Sequence, residues 1–232
     1  MVFLSVSTFR MTRDETRIIE GGSPAHPAWK SFVRFLLEES AWLLAAFAVT
    51  ALAAQGLAAA GRPSAAPAVA LFGLHGLVGI HVLRNDRLSL PDWLRVRRAD
   101  LLWGVAGGAV LLGFNVAYGW LLEWAGVTPP DIAAMLRTLL PAPALFFWAG
   151  GLAPVVEELY FRGRLLAAFD SRLGPAGAGV LTSLAFAAIH GIPAFLPAYL
   201  VFAAVLLALR RRTGGLVAPI VAHMINNTFA LL

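Results

Sequence analysis

The chain has 232 residues, 59% of them hydrophobic and only 13% charged, with a formal net charge of +5 and no cysteine. Soluble domains carry about 25% charged residues, so this composition, with a mean hydropathy of +0.75, excludes an ordinary soluble globule and predicts an all-α, polytopic transmembrane helical bundle. The missing cysteines exclude disulfides, thiolate metal ligands and cysteine nucleophiles, and the positive charge, carried mostly by arginines between apolar stretches, reads as membrane topology and not as nucleic-acid binding.

Residues 1–40 are the most polar part of the chain and are expected to form a cytoplasmic N-terminal segment. A disordered stretch is expected around Gly21-Gly22-Ser23-Pro24, followed by an amphipathic approach to the membrane from Trp29 to Glu39. Met1 to Phe9 is too short and wrongly flanked for a cleaved signal peptide, and Met11 is an alternative start. Crossing the hydrocarbon takes ~20 apolar residues. About seven spans are predicted, near residues 41–60, 66–83, 101–122, 140–157, 176–191, 194–209 and 215–231, the fifth and sixth being short and split by Gly191-Ile192-Pro193. Residues 41–139 supply N-terminal transmembrane helices without a recognisable motif, and residues 140–232 hold every motif discussed below.

The charges between spans orient the chain. With the N-terminus inside, the cytoplasmic connections would be 84–100, 158–175 and 210–214, which carry Arg84, Arg87, Arg95, Arg97 and Arg98, then Arg162, Arg164 and Arg172, then Arg210, Arg211 and Arg212. The opposite side receives only Arg62 and Arg137. An excess of arginine marks the cytoplasmic side, so the N-terminus is expected inside. Trp42, Trp93, Trp103, Trp120, Trp124 and Trp148 fall mostly near span ends, as an interfacial aromatic belt would.

Three polar motifs interrupt the apolar C-terminal part. Glu157-Glu158-Leu-Tyr-Phe-Arg162 closes the fourth span. On a helix Glu158 and Arg162 are one turn apart in the favourable order for an ion pair, and Glu157 is rotated about 100° away, free to point into the bundle. A charge cluster at a loop edge is the simpler structural alternative. Phe186-Ala-Ala-Ile-His190 puts an aromatic ring and an imidazole on one face of the fifth span, where a lone histidine is more often a packing residue. His223-Met-Ile-Asn-Asn227 does the same for an imidazole and a carboxamide, with Asn226 pointing elsewhere, and interhelical hydrogen bonding is the structural alternative. His75 and His81, six apart on the second span, face different directions and read as structural, with haem ligation a weak alternative.

Taken together, the polar groups need partners in a medium without water, and one shared cavity is the cheapest arrangement. Ionisable groups at membrane depth are functional candidates by default. The predicted spans leave a tension, because they place Glu157 near the inner face, His190 near the outer end of its span and His223 in mid-span. No aspartate lies inside a span, there is no His-Glu-x-x-His, and no serine sits where it could pair with a histidine, so glutamate and histidine remain as the chemistry.

The ordered triple Glu-Glu-x-x-x-Arg, Phe-x-x-x-His and His-x-x-x-Asn over Glu157 to Asn227 resembles the CPBP family, the CAAX-protease and bacteriocin-processing membrane proteins also called the ABI or Rce1-like family. The flanking Glu158-Leu-Tyr-Phe-Arg162-Gly163 and Arg212-Thr213-Gly214-Gly215-Leu216, leading through Pro219 to His223, agree with it, and the resemblance covers roughly residues 140–232. It implies a helical intramembrane endopeptidase with a cavity open to the cytoplasmic side. In this chain Glu157 would be the general base for water, His190 would hold or activate that water, and His223 and Asn227 would stabilise the oxyanion. Glu158 and Arg162, with Phe186, would support them. Cofactors are expected to be absent, with zinc the alternative. A zinc site would use Glu157, His190 and His223 with water in the fourth position, and would then need Glu158 as the base.

The expected partners are the lipid bilayer and a membrane-associated protein or peptide, cut near the cytoplasmic leaflet of a bacterial inner membrane. A non-catalytic scaffold or immunity factor and a proton-coupled transporter are the rival readings. The lack of visible repeats disfavours the transporter.

Overall fold

The computed structural model describes residues 26–232. The stretch around Gly21-Gly22-Ser23-Pro24 and the alternative start at Met11 lie outside the described residues. Among those residues the fold is helical and contains no strand. In chain order the helices are α1 (His26–Ala59), α2 (Ala66–Asn85), the single turn α3 (Leu90–Trp93), α4 (Arg98–Trp124), α5 (Ile132–Leu139), α6 (Ala142–Phe147), α7 (Ala153–Glu158), α8 (Leu166–Ile189), α9 (Leu196–Thr213) and α10 (Val217–Ala230). Two π-helical segments, Trp148–Leu152 and Leu159–Leu165, join α6 and α7 to the first arm of α8.

The chain divides into the units Met1–Glu39 and Ser40–Leu232. In the first, Arg34 Nε donates to Glu38 Oε1 at 2.6 Å across one exposed helical turn. All packing described below lies within the second.

Among the described residues five helices are long and apolar enough to cross a membrane: Trp29–Ala59, Pro63–Asn85, Arg98–Trp124, Ala142–Ile189 and Pro193–Thr213. The expected seven is not reached by this measure. The spans predicted at 140–157 and 176–191 belong to one 48-residue helical stretch. The last, α10, has 14 residues, ~21 Å at 1.5 Å per residue, short of the ~30 Å hydrocarbon core.

Residues 158–175, expected as a cytoplasmic connection, are helical instead. The helix runs on to Gly174, where φ of 67° and ψ of 172° break it, a backbone conformation that glycine adopts without steric cost. Pro175 then starts the second arm of α8 with the φ that proline supplies. Glu157 precedes Gly174 by 17 residues and His190 follows it by 16. In a helical hairpin bent at Gly174 the two positions are level. Glu157 is therefore in the middle of a long helix and not at its end, which removes the tension between its depth and that of His190.

Two ends of the bundle are pinned by different chemistry. At one, Arg164 Nη1 donates to Asp86 Oδ2 at 2.8 Å, and Arg97 binds Asp100 through two hydrogen bonds of 2.8 and 3.0 Å while also reaching the Thr213 carbonyl. Arg211 Nη1 binds Asp170 Oδ2 at 2.7 Å, and the Leu216 amide donates to the Trp93 carbonyl at 2.7 Å. At the other end, Tyr118 Oη donates to the Ala194 carbonyl at 2.7 Å and Arg137 Nη1 to the Leu231 carbonyl at 3.1 Å.

Between these ends, α4 and α10 pack closely. A Cβ on Gly104 would fall 2.6 Å from Val221 Cβ, and one on Gly108 would fall 2.9 Å from Ile225 Cγ2. Glycines four apart let two helix backbones approach where a side chain would hold them off. This contact fixes α10, which carries His223 and Asn227, against the rest of the bundle.

Candidate active site

Glu157 and Glu158 sit on α7, between the two π-helical segments. Each π segment puts an extra residue into the turn and leaves a backbone group to be satisfied elsewhere, a device common at functional sites. In the first, Ala153 N–H bonds to the Trp148 carbonyl, five residues back. The next bond in that register would run from residue 154 to Ala149, but Pro154 has no N–H. Asn227 Nδ2 fills the gap, donating to the Ala149 carbonyl at 3.1 Å. Local backbone chemistry thus anchors the Asn227 carboxamide.

Glu158 is fully buried, and Arg162, 3% exposed, donates to its Oε1 at 3.0 Å. The same oxygen accepts Nδ1–H of His223 at 3.0 Å. A carboxylate on Nδ1 fixes the ring's orientation and tautomer, and leaves Nε2 facing Glu157 Oε2 at 3.8 Å. Arg162 also lies over the Phe186 ring, with Cζ 4.3 Å from the centroid, a cation–π contact in a desolvated setting.

Glu157 is held from the other side by a residue that the sequence reading assigned to structure alone. His75 Nε2 lies 3.5 Å from Glu157 Oε1. Its Nδ1 lies 2.9 Å from the Leu71 carbonyl and 3.2 Å from Trp148 Nε1. Nδ1 thus meets one donor, the indole N–H, and one acceptor, the Leu71 carbonyl, while Nε2 faces the carboxylate. His81 turns away, stacking on Trp42 with centroids 4.2 Å apart. Glu157 Oε2 is buried and has no hydrogen-bond partner among the described residues, and Glu158 Oε2 shares that state.

Phe186, 1% exposed, gathers the remaining groups. Its ring centroid is 4.8 Å from that of His190 and 6.0 Å from that of His223. His190 Nδ1–H donates to the Phe186 carbonyl at 2.8 Å, and its ring stacks on Tyr199 at 4.2 Å. Asn226, expected to point elsewhere, accepts from Asn115 Nδ2 of α4 at 2.8 Å but also donates to Asn227 Oδ1 at 3.3 Å and borders the same cavity.

Glu157, His190, His223 and Asn227 therefore line one cavity, of about 1280 Å³, together with His75, Trp148 and Tyr199. Glu158 and Arg162 lie behind its wall. The cavity continues to Thr128, Pro130 and Phe195, at the end of the bundle pinned by Tyr118 and Arg137. The family resemblance had implied an opening on the arginine-rich, cytoplasmic side.

Among the described residues no three histidine, aspartate or glutamate side chains are grouped to hold a metal ion. Glu157 is instead the shared neighbour of His75 and His223.

Residues 139–229 match the family model of the type II CAAX prenyl endopeptidase Rce1-like proteins. Over 137 residues the chain is 25% identical to "Putative membrane peptidase YdiL" of Bacillus subtilis (strain 168). That alignment takes in 57% of this chain and 56% of the relative, so the chain matches little more than half of that protein's length. No solved structure matches the chain.

Proposed function

We propose that this polytopic membrane protein, with its Rce1-like domain over residues 139–229, is an intramembrane endopeptidase in which Glu157 activates water against a peptide bond of a membrane-associated protein. The observation that carries the reading is Glu157 Oε2, a buried carboxylate oxygen with no hydrogen-bond partner among the described residues, in the wall of a large cavity and 3.8 Å from His223 Nε2. A water placed between these two acceptors reaches both at ordinary hydrogen-bond distance.

In the proposed reaction that water loses a proton to Glu157 and its oxygen bonds to the scissile carbonyl carbon. The carbonyl oxygen becomes an oxyanion. Glu157 passes that proton to Nε2 of His223, 3.8 Å from its Oε2, and His223, its Nδ1–H held by Glu158, donates it as a hydrogen bond to the oxyanion. Asn227 spends one amide hydrogen on Ala149 and offers the second. Donors fixed in advance in a water-poor site stabilise developing charge strongly, each worth about 10²–10³ in rate. His190, with Nδ1 committed to Phe186, offers Nε2 to the water. The tetrahedral carbon then re-forms its carbonyl and releases the amine, which takes the proton from His223 Nε2. His75 keeps the Glu157 carboxylate aimed at the cavity.

The test compares protein termini by mass spectrometry in host cells carrying the wild-type chain or Glu157→Gln, with equal expression of both checked. New termini on membrane or lipidated proteins that need the wild-type glutamate are expected. An unchanged profile would sink the peptidase reading and leave a scaffold or a proton-coupled transporter.

A further inference from the structure

We infer that the scissile segment reaches Glu157 from the extracytoplasmic side, so that the substrate class is a membrane-anchored polypeptide cut at or just outside the outer leaflet. The inference rests on the peptidase reading above for the word substrate, but on independent observations for the side.

The first observation is the course of the cavity. Its polar floor, Glu157 with His75 and His223, lies midway along the helical run from α6 to Gly174 and halfway along α2 and α10, and its lining runs from there to one end only. Thr128 and Pro130 come from the connection after α4, Ile192 and Phe195 from the turn between α8 and α9, and Leu231 from the end of α10. No described lining residue comes from residues 86–97, 164–175 or 210–216, which form the opposite end.

The second observation is what closes that opposite end. Below Glu157 the interior is filled by the buried Glu158–Arg162 pair and by Leu206, Leu209 and Leu166, none more than 6% exposed. Trp93 packs against the backbone at Gly163, where a Cβ would lie 2.7 Å from the indole ring. A polypeptide has no route through this plug.

The third observation is charge. The plugged end carries the five arginines of residues 84–98, then Arg164 and Arg172, and the run Arg210-Arg211-Arg212, whereas the open end has only Arg62 and Arg137. Lysine and arginine in short connections accumulate on the cytoplasmic side. The plugged end is therefore cytoplasmic and the cavity faces out, the reverse of the side implied by the family resemblance.

The cavity also explains why the substrate is a chain held in the bilayer. Its volume of about 1280 Å³ exceeds the ~300–1,000 Å³ typical of small-molecule pockets. Leu44 and Ile189, 69% and 62% exposed, line its side, so an anchored polypeptide can approach along the lipid face while its extracytoplasmic portion enters from the mouth.

The absence of native cysteine makes the test direct. Single variants Thr128→Cys and Val127→Cys mark the mouth, and Leu88→Cys and Ser171→Cys mark the plugged end, two positions each so that one poorly folded variant does not decide the matter. The full chain is expressed in cells, which are treated with a membrane-impermeant maleimide before or after permeabilisation. The inference expects the mouth positions to label in intact cells and the other two only after permeabilisation. Labelling of Leu88→Cys and Ser171→Cys in intact cells, with the mouth protected, overturns it.

The terminus comparison separates this inference from the peptidase reading. New termini on extracytoplasmic segments support both. New termini on cytoplasmic segments overturn the inference and keep the peptidase. With no new termini the peptidase reading falls, while the labelling still decides which way the cavity faces.

Discussion

Arg162 shows how much rests on one side chain. It is 3% exposed and touches Glu158 Oε1 at 3.0 Å, the Ala203 carbonyl at 3.4 Å and the Phe186 ring at 4.3 Å. Removing it leaves Glu158 as a buried charge whose one remaining partner is His223, and breaking a buried pair from one side costs about 3–5 kcal/mol. Arg162→Met is therefore expected to lower the thermal midpoint of the detergent-purified protein sharply. Arg162→Met with Glu158→Gln should recover part of the loss, because the orphaned charge goes with its partner. A double variant no more stable than the single one would contradict this account.

The order of Glu158 and Arg162 was legible because the pair is local. That His223 Nδ1 lands on the same carboxylate oxygen was not, because 65 residues separate them. His75 makes the same point more strongly. Its spacing from His81 correctly placed the two on different faces, but nothing local distinguishes a histidine that packs from one that meets a glutamate 82 residues away.

At the scale of elements, the contact between α4 and α10 sets where the site's imidazole and carboxamide stand. A Cβ on Gly104 would meet Val221 Cβ at 2.6 Å and the Ala218 carbonyl at 3.0 Å, whereas one on Gly113, on the same helix, would meet nothing within 4 Å. Gly104→Ala is thus expected to cost about 1–3 kcal/mol through overpacking and to reduce activity by shifting α10. Gly113→Ala should be neutral or stabilising by roughly 0.5–1 kcal/mol, because it removes only backbone freedom. Thermal denaturation of the two variants side by side checks the opposite signs, and equal effects would refute the close-approach argument. The glycine spacing 104 and 108 was in the sequence, but a pair of glycines does not say which helix it receives. The π-helical segments had no visible signal except Pro154, whose missing donor opens the Ala149 carbonyl to Asn227.

At the scale of the whole molecule, one end is tied by arginines and one is left open to a cavity. Among the described residues no three histidine, aspartate or glutamate side chains are grouped to hold a metal ion, and the proposed chemistry uses only protein groups and water. Prolonged treatment with 1,10-phenanthroline is therefore expected to leave the Glu157-dependent termini unchanged. Their loss, restored by added zinc, would show that a metal takes part and that the roles given to His223 and Glu157 must be redrawn.

By itself the sequence determined the apolar helical character of the chain, the arginine asymmetry of its connections and the three motifs that share a face at one-turn spacing. These are properties of a few neighbouring residues, set by backbone geometry and by the cost of placing charge in hydrocarbon. The tertiary structure decided the rest. It bent the chain at Gly174 so that Glu157 and His190 stand level, and brought His75 to Glu157. It left α10 too short to span alone, and aimed the cavity at the arginine-poor end. Those outcomes depend on which helix faces fit together at close range, a matter of shape between segments far apart in the chain, which no local pattern encodes.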